Sequence, residues 1–95
     1  MNQSVQYNAV VTVLGKDRIG IIASVTAVLA KLEINISDIS QTILKDMFTM
    51  IMLVDTSQSI YGIEQLSGEL NALGEEMSLD IRIQHKDIFN AMQRI

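Results

Sequence analysis

The segment VTVLGKDRIGII, Val11–Ile22, changes its hydrophobic period at its centre. Before the change, from Tyr7 to Leu14, β-branched residues are apolar on both faces, which is typical of a strand inside a sheet. After it, from Ile19 to Leu32, apolar residues recur at steps of three and four, as on one side of a helix. The polar turn Gly15–Gly20 separates the two, and Asp17 is placed to cap the helix. The segment therefore predicts a strand, a turn and a helix.

The next part of the chain predicts a β-hairpin. Ile34–Leu44 alternates loosely, which indicates a long strand with a bulge where the alternation slips. Lys45-Asp46 is a short polar turn, and Met47–Asp55 is apolar on both faces like the first strand. Two extended runs joined by so few residues are expected to pair.

The last third predicts a helix, an edge strand and a short terminal helix. Ile63 to Met77 carries the clearest helical stripe in the chain, interrupted by Gly68 and Gly74. Each glycine costs a helix roughly 1 kcal/mol relative to alanine, but would let a neighbouring element approach closely. The segment 80–85 alternates as a half-buried edge strand does. The segment 86–95 is too short to persist as a helix unless it docks.

This element order predicts an α+β, ferredoxin-like βαββαβ sandwich. Such a chain forms a four-stranded antiparallel sheet with both helices on one face, in the spatial order fourth, first, third, second strand. We expect one domain over residues 1–95, with a core at about 7–85 and a terminal helix at about 86–95. The first and third strands are apolar on both faces, so a second layer or a partner must cover the other face. That pattern favours a homodimer.

Composition excludes several classes of function. A chain of 95 residues buries only about 60–65% of its unfolded surface, so a partner subunit would add useful stability. Seven basic and eleven acidic residues give a net charge of −4, which opposes binding to nucleic acid or anionic membranes. No cysteine, membrane-length apolar run or signal-like N-terminus occurs, so we expect a cytoplasmic protein.

The turn between the first strand and first helix is the strongest candidate site. Unpaired amides at a helix start attract a carboxylate, and Gly20 would let the backbone approach a ligand. Asp17 could receive an ammonium group, while Lys16 and Arg18 could pair with an anion, which together suit an amino acid. The same residues equally suit a helix cap, tight packing and solvated charges, so the pattern leaves both interpretations open.

Other polar residues carry weaker signals. The amide of Asn35, between Ile34 and Ile36, can donate and accept at once, although it could also satisfy the turn after the helix. His85 is the only histidine and has no companion at metal-ligand spacing, so we interpret it as an ordinary strand-end residue. No nucleophile–base pair, phosphate loop or dinucleotide motif is present, and we predict neither a cofactor nor catalytic residues.

Two segments resemble the ACT domain family, both in sequence and in the distance between them. They are Val11–Ile22 and the strand Ile34–Ile39, whose sequence is INISDI. The resemblance covers about Asn8 to His85. It rests on three features in the right order: a glycine in the first loop, a helix of the right length, and an Asn-Ile pair at the start of the second strand. The ending Asp87–Ile95 is similar to that of free-standing single-ACT bacterial proteins of an uncharacterised group. The chain is also similar to the ACT halves of the glycine-cleavage-system repressor.

The resemblance implies a side-by-side dimer with an eight-stranded sheet that binds amino acids at the shared seam. The first loop of one subunit would face the second strand of the other. The ligand-binding residues implied are Asp17, Arg18, Ile19, Gly20, Ile21, Asn35 and Ile36. Many ACT loops have proline where this chain has Ile19. No output domain is visible, so regulation would act on a partner enzyme or regulator.

Three other functions compete with this hypothesis. Some ACT domains only dimerise and bind no effector. Acylphosphatases share this fold and use an arginine and an asparagine, which Arg18 and Asn35 superficially match. However, Ser24 and Val25 occupy the region where the acylphosphatase loop carries its arginine. RNA-recognition modules stack bases on sheet aromatics, but four aromatic residues and an acidic balance oppose that reading. We therefore predict a regulatory module and not an enzyme.

Overall fold

The computed structural model describes residues 6–93, which form one four-stranded sheet and three helices. The elements in chain order are β1 Ala9–Lys16, α1 Ile21–Lys31, β2 Asn35–Leu44, β3 Met47–Asp55, α2 Ile63–Met77, β4 Leu79–His85 and α3 Lys86–Gln93. The predicted order of strands and helices is confirmed. The last two predicted positions of the terminal helix, Arg94 and Ile95, lie outside the described residues.

The sheet is antiparallel in the order β2-β3-β1-β4, so β2 and β4 are its edges, as predicted. The first strand is longer at its end than the sequence indicated. Gly15 and Lys16 stay in the ladder, opposite Phe48 and Met47. The prediction that the strand ends at Leu14 is therefore wrong, because a glycine does not stop a strand that has a partner on each side. The strand also begins at Ala9, two residues after Tyr7.

Both long helices cover one face of the sheet, here called the helix face. The core cluster combines residues of β1, β3 and β4 with both helices, and Ile36 of β2 packs against it. The largest fully buried side chains include Val25 and Leu29 of α1 and Leu66 and Leu70 of α2. The α2 stripe predicted from the sequence is thus confirmed. Gly74 explains how α2 comes so close to β4, because a Cβ atom there would lie 2.6 Å from the carbonyl oxygen of Leu79.

The predicted bulge in β2 lies at Ser37. Ile36 pairs with Val54 and Asp38 pairs with Leu53, so Ser37 has no ladder partner. Its hydroxyl donates to the carbonyl oxygen of Gln6, 2.5 Å away, in the segment that leads into β1. Beyond the bulge, Ile39, Gln41 and Ile43 stand opposite the buried residues of β3. They therefore share the helix face.

The opposite face of the sheet, here called the outer face, is covered in part by α3. This helix contacts β4 and β1, and Val10 on this face keeps only 1% of its surface exposed. Large apolar side chains elsewhere on this face remain 38–72% exposed, namely Ile51, Met47, Leu14 and Leu44. The sequence expectation that another layer covers this face is met only in part, at the end of β1 that holds Val10 and not at the end that holds Leu14.

Candidate functional site

The β1–α1 turn, residues 17–20, is held against the β2–β3 hairpin. The Asp17 amide donates to the carbonyl oxygen of Asp46 at 2.7 Å, which extends the ladder one residue past β1. Asp17 is therefore tied to the hairpin and is not the helix cap, so that prediction is wrong. The cap is Gly20, whose φ of 93° lies in the left-handed region that favours glycine. From the sequence, we expected this glycine only to allow close approach of the backbone to a ligand or close packing, not to begin the helix.

The start of α1 presents backbone donors without a capping side chain. The first helical hydrogen bond runs from the Ser24 amide to the Gly20 carbonyl oxygen, at 2.9 Å, and no side chain caps the helix. The amides of residues 21–23 precede that bond, so helix geometry leaves them without an intrahelical acceptor. Their partial positive charge, added to the helix dipole, favours an anionic group at this end.

A cleft of about 280 Å³ opens beside these amides. It lies between the start of α1 and the hairpin end of the sheet, and it is close in size to the smallest ligand pockets, at roughly 300 Å³. Charged groups occur on its turn side only, and its sheet side is apolar except for one amide. Its lining residues are Asp17, Arg18, Gly20, Ile21, Ile22, Ala23, Gln41, Ile43 and Phe48.

Arg18 also has a structural partner on the other side of the turn. Its guanidinium donates to the carbonyl oxygen of Met77, 3.1 Å away, at the last residue of α2. No basic residue lies in the last turn of α2, so Arg18 supplies the cation that favours a helix C-terminus. A second cleft of about 300 Å³ lies there, lined by Lys16, Asp17, Arg18, Met77 and Ser78.

Ile19 and Ile21 are placed differently from each other. Ile19 exposes 99% of its surface, so its side chain projects into solvent. Ile21 is 2% exposed and belongs to the core, which leaves mainly its backbone to face a ligand. Of the turn residues named by the sequence, four line the first cleft, namely Asp17, Arg18, Gly20 and Ile21.

Asn35 and Ile36 lie far from the turn within one protomer. Asn35 pairs with Asp55 at one end of β2, while Leu44 at the other end pairs with Met47 beside the turn. Ten residues of strand span roughly 30 Å. Ile36 packs against the core on the helix face. Because successive residues of a strand point to opposite faces, the side chain of the exposed Asn35 lies on the outer face. One chain therefore does not bring the two halves of the predicted site together.

This separation also bears on the acylphosphatase alternative. An active site of that kind needs Arg18 and Asn35 around one phosphate, whereas the two residues lie at opposite ends of the sheet.

Two other polar residues lie at strand ends. His85 ends β4, as the sequence indicated, and its Nδ1 atom accepts a hydrogen bond from the Asp87 amide at 3.2 Å. The amide of Ser57 and then its side chain lower the pKa of the Asp55 carboxyl by hydrogen bonding, so a carboxylate lies near Asn35.

Five residues of the first cleft were not in the predicted site, and two of them, Ile22 and Ala23, directly follow the predicted turn in α1. Gln41 and Ile43 come from β2 and Phe48 from β3. The signal for the two β2 residues was present in the sequence, because Ile39, Gln41 and Ile43 alternate on one face. Placing that face beside the start of α1 required the three-dimensional packing of the helix on the sheet.

The sheet order, the hairpin beside the turn and the glycine-capped α1 define a small α+β module of the ACT type. A family model described as "ACT domain" matches residues 8–84. The chain therefore belongs to the ACT domain family, as its sequence indicated. ACT domains are typically regulatory ligand-binding modules and not catalytic ones.

The relatives are similar in extent as well as in sequence. A UPF0237 protein of Methanopyrus kandleri is 49% identical over 87 residues, which are 92% of this chain and 97% of that protein. A UPF0237 protein of Clostridium acetobutylicum is 48% identical over 92% of this chain and 98% of its own length. These relatives consist of little more than this one domain.

Solved structures give the same result. An ACT domain protein from Streptococcus pneumoniae superposes with a TM-score of 0.77 at 41% identity, covering 86% of this chain and 92% of that one. A putative glycine cleavage system transcriptional repressor superposes with a TM-score of 0.72 at 28% identity, and the match covers 82% of this chain and 44% of the repressor. The predicted similarity to that repressor is confirmed. Within residues 6–93, no helix is long and apolar enough to cross a membrane.

Proposed function

We propose that this protein is a homodimeric regulatory module that binds an amino acid across two paired β2 strands and acts on a partner protein. The observation that carries the proposal is the free edge of β2, which has the first cleft at one end and Asn35 at the other. A strand of ten residues with one unpaired edge is a template for pairing with another strand.

The middle of β2 supports a two-fold pairing. If two copies pair antiparallel about an axis that sets Ser40 opposite Ser40 of the other copy, and the pairing skips the bulge residue Ser37, Asn35 of one copy stands opposite Leu44 of the other. Leu44 is next to Ile43, which lines the first cleft. The pairing therefore sets Ile36 opposite Ile43 on the helix face, and it brings Asn35, which a single chain keeps roughly 30 Å away, to the end of β2 beside the cleft.

Apolar surface beside the β2 edge supports the same arrangement. Ile39 and Ile43 on the helix face expose 41% and 51% of their surfaces, and Ile22 of α1 exposes 38%. A second copy along β2 would cover these side chains with its own β2 and α1. Burial of apolar area at about 25 cal/mol per Å² favours such a dimer.

The chemistry of the first cleft suits the backbone of an amino acid. The α1 amides attract a carboxylate, while Asp17 offers an acceptor for an ammonium group. Asn35 from the second copy can donate and accept at the same time. The ligand would thus contact both copies, and its effect on a partner protein would follow from its different affinity for the dimer arrangements.

Two measurements test the proposal. Sedimentation velocity should give a dimer at micromolar concentration, and Ile39→Lys should give a monomer, because it places a charge in the paired edge. Isothermal titration of ligand-freed protein with each of the twenty amino acids should detect binding. A monomeric wild-type protein contradicts the dimer, and a dimer that binds no amino acid at millimolar concentration leaves dimerisation as its only role.

Asn35→Ala tests the contribution of the second copy. It should weaken binding about tenfold, the effect of removing one or two hydrogen bonds to a charged group. Asn71→Ala is the matched control, because Asn71 is an exposed asparagine on α2 and lines none of the clefts described above. Equal affinity of the two variants would show that Asn35 does not reach the ligand.

A further inference from the structure

The sheet side of the first cleft differs chemically from its turn side. The turn side carries Asp17 and Arg18, the only charged residues in the lining. The sheet side consists of Ile43 and Phe48 with one neutral polar group, the amide of Gln41, and Ile22 of α1 adds apolar surface facing it. A ligand whose charged backbone lies at the α1 start must direct its side chain toward this second wall.

The apolar wall disfavours a charged side chain. Phe48 is 3% exposed, and Ile22 and Ile43 present half-exposed aliphatic surface. A carboxylate or ammonium group placed against them would lose part of its water without gaining a counter-ion. The cleft volume of about 280 Å³ further limits the side chain to a small or medium size.

Gln41 gives the wall one specific polar contact. It lies on the exposed edge strand, opposite Met50, and its side chain makes no hydrogen bond to another residue within 6–93. Its amide offers both a donor and an acceptor. A site with such a group distinguishes a ligand with a hydrogen-bonding side chain from one with a hydrocarbon side chain. The hydrocarbon side chain would displace water from the amide without replacing the lost hydrogen bonds.

We infer that the ligand is an α-amino acid with a small, uncharged side chain that carries a hydroxyl or amide group, and that Gln41 is the residue that selects it. This inference rests on the proposed function, since it names the ligand class of the same cleft. Gln41 contributes discrimination between side chains, whereas the turn and Asn35 hold the ligand backbone.

The test compares near-isosteric ligands on the intact dimer. Isothermal titration should show threonine bound about fivefold to tenfold more tightly than valine, and aspartate, glutamate and lysine bound at least tenfold more weakly than threonine. Gln41→Met keeps the length of the side chain but removes the amide. It should bring the threonine-to-valine ratio close to one while valine affinity stays within about twofold.

Gln58→Met is the matched control, because Gln58 is exposed in the loop before α2 and lines none of the clefts. It should leave the ratio unchanged. A wild-type ratio near one, tight binding of a charged amino acid, or a ratio that Gln41→Met does not move would overturn the inference while the proposed function stands. Failure to bind any amino acid would overturn both.

Discussion

Two glycines of α2 give a sharp test of the packing between α2 and β4. A Cβ atom on Gly74 would lie 2.6 Å from the backbone oxygen of Leu79, whereas a Cβ atom on Gly68 would meet nothing within 4 Å. A backbone oxygen cannot rotate away as a side chain does, so Gly74→Ala must push α2 from β4. Overpacking of this kind costs about 1–3 kcal/mol.

Helix propensity acts equally on both variants and separates the two effects. Glycine to alanine inside a helix gains about 1 kcal/mol. Gly68→Ala should therefore stabilise the protein by nearly that amount, while Gly74→Ala should lose up to about 2 kcal/mol after the same gain is subtracted. For a domain of this size, a difference of about 2 kcal/mol separates the two melting temperatures by at least about 8 °C.

The assay is urea unfolding followed by circular dichroism, at one protein concentration because dimerisation would couple to stability. Equal slopes against urea would show that only stability has changed. If Gly74→Ala unfolds at the same urea concentration as Gly68→Ala, the close contact between α2 and Leu79 is not a constraint, and the reasoning from backbone proximity fails.

Three further changes test the turn and the charges. Gly20→Ala should cost about 1–2 kcal/mol, measured by thermal melting, because the φ of 93° is unfavourable for a residue with a Cβ atom. Arg18→Ala should cost up to about 1 kcal/mol by removing the hydrogen bond to Met77, and Arg82→Ala, whose ion pair is exposed and local, should cost less in the same melts. Asp55→Asn should reduce the loss of stability in acid. The pKa of Asp55 lies below its ordinary value of 3.8, so its contribution is present above that pH and disappears as the pH falls through the lower folded-state value. A drop in melting temperature between pH 5 and 2 that is as large in Asp55→Asn as in the wild type would contradict that effect.

Most of the fold could be predicted because its signals are local. The apolar period changes sharply between Leu14 and Ile22, and the stripe of α2 fixes Ile63–Met77 at both ends. The two-residue turn at Lys45-Asp46 determined the hairpin. Strand boundaries were less certain, because Gly15 and Lys16 look like turn residues in the sequence and become strand residues only through their partners in β3.

The candidate site could be predicted only in part, because it depends on contacts between residues that are far apart in the sequence. Asp17 is of a residue type that commonly caps helices, but its amide donates to Asp46 and the helix starts four residues later, at Ile21. The Arg18 guanidinium donates a hydrogen bond to the carbonyl oxygen of Met77, 59 residues further along the chain, and no local sequence pattern predicts that contact. Gln41 joins the cleft for the same reason, since its position relative to α1 depends on how the helix packs.

The unpaired residue in β2 has a consequence for comparing this chain with its relatives. A regular ladder through the same sequence would set Asp38 and Ser40 opposite the buried Met52 and Met50, so the extra residue at Ser37 is what turns Ile39 and Gln41 inward. Removing Ser37 leaves every partner before and after it unchanged. A related chain could thus be one residue shorter at that point and keep the same pairing on both sides, whereas a gap after Ile39 would exchange the polar and apolar faces of everything up to the hairpin turn.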